Sequence, residues 1–338
     1  MRKGQNPAKF VKDVPRPQRI TAALLNYIPF LSGFYAETLD VLKVCLESMR
    51  KEAGLPFDLM VFDNGSCAEV RDFLVQEKEE GRIQYLILAE KNMGKGGAWN
   101  IMLAGAPGEI IAYTDSDVLF SPNWLSRSVE ILEAFPHVGM VTARPFRTPP
   151  EFFESTLQWA RQNAKLEEGQ FIPWERFLEF NLSLGQTEEE NKKVYAETRD
   201  WRITFRPAMS PQGELSGTEG ATQSKDVIAF AGASHWQFTA YKSTLQQFLP
   251  FDMDKPMGQV RQLDKRMNEA GLLRLMVSDP LAMNMSNTLG YLRGELGKES
   301  GKVKSKKRTS LKRRLLELGP IKKMLLAVYN KIFNWYYS

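Results

Sequence analysis

Cysteine and histidine are scarce here, with two of each among 338 residues. Cys45 and Cys67 form neither a disulfide framework nor a metal knuckle, which favours a reducing compartment with both as small packed residues. No run of about 18 apolar residues occurs, so no segment is expected to span a bilayer. The opening stretch, MRKGQNPAKFVKDVPRPQ, lacks the apolar centre of a signal peptide. Acidic residues are nearly missing from the end of the chain: residues 302–338 hold eleven Lys and Arg against Glu317 alone. The remainder carries 34 basic and 39 acidic residues, so a mildly acidic body precedes a strongly basic tail. Such a split points to an anionic surface as partner.

What is present suits a soluble core, with 43% hydrophobic and 25% charged residues. Strand-like and helix-like segments alternate through the first 145 residues. RITAALLNYI (19–28), FDLMVF (57–62), IQYLILAE (83–90) and EIIAYTD (109–115) read as buried strands. Helices are predicted over 36–54, 69–81 and 96–106; in the first, Leu39, Leu42, Leu46 and Met49 share a face and Gly54 ends it. This alternation predicts an α/β fold, a mainly parallel Rossmann-like sheet with helices on both faces. Residues 151–225 read as an insertion of helices plus a loop. A strand at 226–233, a helix over VRQLDKRMNEAG and a strand LLRLMVS follow.

Ligands of parallel sheets bind beyond the C-terminal strand ends, where the loops DNGS, KNMGKGG and DSD are placed. Asp115-Ser116-Asp117 suits a hard divalent cation, magnesium or manganese, because oxygen ligands at a strand-to-loop bend can aim at one site. A solvated turn is the plain alternative. Asp63 can accept a hydrogen bond from a base or ribose, although DNGS is also a favourable turn. The glycines of KNMGKGG let backbone amides approach a phosphate at a helix N-terminus, yet the motif is neither a P-loop nor a dinucleotide motif.

Taken in this order, TAALLNYIP, VFDNGS, NMGKGGAWN and AYTDSD resemble the nucleotide-binding half of family 2 glycosyltransferases with the GT-A fold. The resemblance covers residues 19–145 and extends through 226–290. It implies a donor-binding set of Leu25, Asn26, Asp63, Asn92, Gly94, Lys95, Asp115 and Ser116, with Asp63 reading a uracil ring. It implies that Asp117, with Asp115 and His235, holds the metal bridging the donor diphosphate, and that Trp236 lines the acceptor side. Transfer from a UDP-hexose with inversion is the implied reaction, and a carboxylate must take the acceptor proton. Relatives place an acidic pair before the last helix, but here that position falls at Gln259-Val260. Asp264 is therefore the candidate base, with Asp252 and Asp254 as alternatives. Asn284 stands where relatives often carry histidine.

The tail reads as a basic amphipathic helix broken at Gly319-Pro320. Leu325, Val328, Ile332 and Trp335 recur on one face, and Lys312, Arg313, Arg314, Lys322 and Lys323 supply the charge. That combination suits an anionic membrane interface; packing on the body or on a second subunit, as in a homodimer, is the competing reading. Its apolar face is too large for a nucleic-acid arm. The expected organisation is a glycosyltransferase domain over 1–300 and a membrane-associating tail over 301–338, on the cytoplasmic side of the cell membrane. The expected acceptor is a surface glycan or lipid-linked glycan. A catalytically silent sugar-binding module is the alternative of another class. A nucleotidyltransferase fits less well, because no glycine-rich basic loop follows the first strand.

Overall fold

The computed structural model describes residues 4–207, 225–253 and 260–295. Chain order begins with β1 (Ile20–Asn26), α1 (Thr38–Arg50), β2 (Asp58–Asp63), α2 (Ala68–Glu79), β3 (Tyr85–Leu88), α3 (Gly94–Gly105) and β4 (Ile110–Asp115). The short β5 (Val118–Phe120), α4 (Trp124–Ala134) and β6 (Val138–Thr142) follow. The insertion holds α5 (Glu154–Asn163), β7 (Lys165–Gly169), α6 (Trp174–Ser183), α7 (Glu188–Glu197) and β8 (Asp200–Phe205). The remaining elements are β9 (Val227–Ala231), β10 (Gln237–Tyr241), α8 (Lys242–Gln246), α9 (Val260–Glu269), β11 (Leu273–Met276) and β12 (Ala282–Asn284).

Ten strands form one sheet in the order β3-β2-β1-β4-β10-β6-β11-β9-β8-β7. The first four are mutually parallel, whereas β10, β9 and β7 run against the rest. The expected mainly parallel direction therefore holds, with antiparallel pairings concentrated in the second half. Side-chain alternation builds a core on each face. Ile20, Ala22, Leu24, Leu59, Val61, Ile110 and Ala112 pack with Leu42, Leu46 and Met49 of α1. Their neighbours Ala23, Leu25, Met60, Phe62, Ile111 and Tyr113 pack on the other face with Trp99, Met102 and Leu103 of α3. Burying each of the larger side chains stabilises the fold by about 1.5–3 kcal/mol. Cys45 lies wholly inside the first core, and burial pushes its thiol up, as a small packed residue requires.

The insertion differs from expectation in containing strands as well as helices. β7 and β8 pair antiparallel and extend the sheet beyond β9. β7 reads KLEEG and ends the sheet, and an edge strand needs no continuous apolar run, so its pattern gave no strand signal. α7 begins at a capping box between Thr187 and Glu190. A third cluster, Phe146, Ile172, Phe177, Phe180, Phe230 and Met276, lies in and beside the insertion. No helix among the described residues is long and apolar enough to cross a membrane. The tail residues Lys312, Arg313, Arg314, Lys322, Lys323, Leu325, Val328, Ile332 and Trp335 lie outside the described residues, as do Asp254 and Gln259.

Candidate donor and metal site

Parallel register pairs Asn26 with Asp63, and Leu25 with both Phe62 and Asp115. Three strands thus end in one row. The chain leaves β1 toward β2 and β3 on one side and places β4 on the other, so the order reverses between β1 and β4, where such sheets open a ligand crevice.

The loop after β2 is held from beneath. Asp63 is fully buried: Asn26 Nδ2 donates to its Oδ1 at 2.9 Å and the Ser66 amide to its Oδ2 at 3.0 Å. Asn26 Nδ2 also reaches Ser66 Oγ at 3.1 Å. Asn64 Nδ2 donates to Asn92 Oδ1 at 2.9 Å, the Met93 amide donates to Asn64 Oδ1 at 3.0 Å, and the Gly94 amide donates to Asn92 Oδ1 at 2.8 Å. Gly65, at φ +87°, lies so close that a Cβ there would stand 2.9 Å from the Asn92 nitrogen. The oxygens of Asp63 stabilise the turn, and so does the side chain of Asn92. The buried Asn26 supports the same turn, and Leu25 packs on the face of α3. These four residues shape the donor loops from behind.

At the end of β4 the positive group on the carboxylates is Lys95. Its Nζ reaches both oxygens of Asp115, at 2.6 and 2.7 Å, and lies 5.3 Å from the Trp99 ring centroid and 5.4 Å from that of Tyr113. Tyr113 OH donates to Asp115 Oδ1 at 2.5 Å. Burial and the Asp115 charge hold that phenol well above its ordinary value, so it stays a neutral donor. Asp117 accepts from Asn284 Nδ2 at 3.2 Å through Oδ2. Its Oδ1 is buried with no hydrogen-bond partner among the described residues. Burial first, and the Asp115 charge second, push the Asp117 carboxyl up to about 7.

These surroundings decide how far the chain fits a divalent cation. A sealed carboxylate oxygen without a partner, on a group that resists ionisation until a cation arrives, fits one metal–carboxylate bond at Asp117. Magnesium and manganese sites of this kind take their remaining ligands from phosphate and water. Among the described residues no group of three or more His, Cys, Asp or Glu stands together in a way that could hold a metal. Asp115 is engaged by Lys95, and His235 by Asp264.

His235 Nδ1 lies 3.0 Å from Asp264 Oδ2, and Asp264 Oδ1 is ion-paired with Arg274 Nη2. Asp264 is buried, and its two carboxylate oxygens are held by these two partners. Asp252 is exposed and accepts from Gln262 Nε2 at 2.6 Å. Trp236 packs between Phe146 and Phe180, with ring centroids at 6.3 and 5.8 Å. Ser116 lies half-buried between the two aspartates. Tyr113 and Arg274 were not singled out from sequence. A signal existed for the second: an arginine inside the apolar run LLRLMV demands a buried anion.

Fold and site together define an α/β protein in which carboxylates and one lysine gather at the switch point between β1 and β4. Residues 33–193 match the family model described as glycosyl transferase family 2. An uncharacterized glycosyltransferase of Nostoc sp. is 29% identical over 96 residues, covering 28% of this chain and 30% of that protein. The chain spans less than a third of the length of the curated relatives it matches. Among solved structures, GalNAc-T7 with UDP, GalNAc and Mn2+ is 10% identical, covering 79% of this chain and 44% of that one, with a TM-score of 0.45. The mannosyltransferase PcManGT from Pyrobaculum calidifontis in complex with GDP-Man and Mn2+ is 17% identical, covering 79% and 55%, with a TM-score of 0.40.

Proposed function

We propose that the protein is a metal-dependent glycosyltransferase that moves a sugar, most simply a hexose from a UDP donor, to an acceptor hydroxyl with inversion. The observation that carries this reading is the convergence of loops 63–66, 91–94 and 115–117 on the β1/β4 switch point, within a segment that matches the glycosyl transferase family 2 model. In the reaction, the backbone of residues 92–95 and the N-terminal turn of α3 receive the nucleotide. Lys95 leaves Asp115 partly or wholly to meet the diphosphate, and Asp115 is freed to orient ribose or sugar hydroxyls. Asp117 is the residue that would hold a divalent cation, manganese or magnesium, which supplies Lewis-acid stabilisation of the leaving diphosphate. Trp236 offers its face on the acceptor side.

The eleven Lys and Arg of residues 302–338 and the apolar residues spaced between them in the sequence support a site of action at an anionic membrane, the inner face of the cell membrane, with a lipid-linked or surface glycan as acceptor. The direct test is incubation with each common UDP- and GDP-sugar plus manganese, reading released nucleoside diphosphate. Release from one donor, abolished by EDTA, is expected. Tight nucleotide-sugar binding with no release from any donor would favour the sugar-binding module instead.

A further inference from the structure

The carboxylate expected to deprotonate the acceptor is missing from its place at Gln259-Val260, and Asp264, one turn further along α9, is sealed. What Asp264 does touch is His235. We propose that His235 is the catalytic base of the transfer, with Asp264 and Arg274 as positioning residues; this rests on the glycosyltransferase reading above.

Three observations support the assignment. First, β10 runs antiparallel to β4 with Gln237 opposite Thr114, and the Asp115 amide donates to the Trp236 carbonyl at 2.9 Å. That bond sets the turn His235-Trp236, closed by the bridge between Ser234 and Gln237, against the end of β4 that carries Asp115. Second, the ring is held at one end only. Among the described residues its hydrogen bond is at Nδ1, to Asp264 Oδ2, while the side chain keeps 25% of its surface exposed. A carboxylate at Nδ1 fixes the tautomer that carries its proton there and leaves the lone pair on Nε2. Third, Asp264 is itself anchored. Its other oxygen is paired with Arg274, which also donates from Nη2 to the Ala233 carbonyl at 2.6 Å, two residues before His235. The side chain that touches Asp117 is Asn284 rather than His235.

In the step, Nε2 takes the proton of the acceptor hydroxyl as its oxygen bonds to the anomeric carbon. The bond from that carbon to the diphosphate oxygen breaks, and its electron pair leaves with the nucleoside diphosphate. The imidazolium faces Asp264 directly and Arg274 behind it. It returns its proton to solvent.

The test begins with nitrogen NMR of the full chain, which has only His137 and His235 to assign; the exposed His137 is the internal reference. His235 is expected as the Nδ1-protonated tautomer, and a ring protonated at Nε2 overturns the proposal. Next, with UDP- or GDP-sugar, manganese and water as acceptor, His235→Ala should lose about 10²–10⁴-fold in nucleotide release. Its donor and manganese affinities should stay unchanged, and added imidazole should restore part of the rate. Turnover equal to wild type refutes the base. So does a manganese affinity weakened 10- to 100-fold, which would make His235 a ligand. Asp264→Asn should lower turnover with donor affinity unchanged and should mix the two His235 tautomers in the nitrogen spectrum, because the ring loses the carboxylate that fixes its Nδ1 proton. Unchanged turnover with a single unchanged tautomer refutes the positioning role. A wild-type chain that releases nucleotide from no donor refutes the transfer reading itself and the base with it. An active wild type matched by an active His235→Ala refutes the base alone.

Discussion

Replacing Asp117 with asparagine separates what the site does for catalysis from what it costs the fold. The carboxyl is raised from 3.8 to about 7 by burial and by Asp115. A carboxyl raised in the folded state contributes its full stability below the unfolded value, near pH 4, and loses it as pH rises through about 7. About three pH units at about 1.4 kcal/mol each set a ceiling of about 4 kcal/mol. Asparagine never ionises and keeps an oxygen for Asn284. In EDTA, urea unfolding at pH 4 should therefore find the two proteins similar, while at pH 8 Asp117→Asn should be the more stable by about 2–4 kcal/mol. Manganese should close the gap by stabilising the wild type alone, and the variant should lose metal-dependent nucleotide release. A stability difference that does not change with pH, or an Asn variant weaker at pH 8, would refute the account of this carboxylate.

Lys95→Met should destabilise the protein by about 2 kcal/mol in urea unfolding, since it strands a partly buried Asp115, and should also weaken nucleotide binding by calorimetry. Asp200→Ala removes the partner of Arg147, to which it is bonded at 2.7 Å, and the acceptor of the Ile172 amide at 2.8 Å. A loss of about 3–5 kcal/mol is expected, with nucleotide affinity unchanged because the insertion does not build the donor loops. Gly65→Ala combines a positive φ with a 2.9 Å clash against the backbone of residues 91 and 92. It should cost at least about 1–3 kcal/mol and weaken nucleotide binding; an unchanged melting temperature would contradict the close approach of the two loops. Deleting residues 302–338 should abolish co-sedimentation with anionic liposomes while nucleotide release from a soluble assay persists. Equal liposome binding by the truncated chain would place the contact elsewhere.

How much of this was legible beforehand follows from the range of the interactions. Strands β1 to β4 and the helices between them were readable because their signals are local: apolar runs of strand length, one-faced helices, and glycine or asparagine at the breaks. The same locality set the three loops at C-terminal strand ends, and hence the crevice. β7 escaped because an edge needs no apolar run, and β8, DWRITF, because only Asp200 and Ile203 of it are buried. The partners of the carboxylates also escaped, since each is a contact between residues far apart in sequence. Asp115 meets a lysine 20 residues before it, Asp117 an asparagine 167 residues after it, and Asp264 a histidine 29 residues before it. The sequence by itself determined that carboxylates would crowd a strand end and need a cation. Only the tertiary structure decided which partner each one meets, because charge compensation depends on distance and burial in the folded sheet rather than on spacing along the chain.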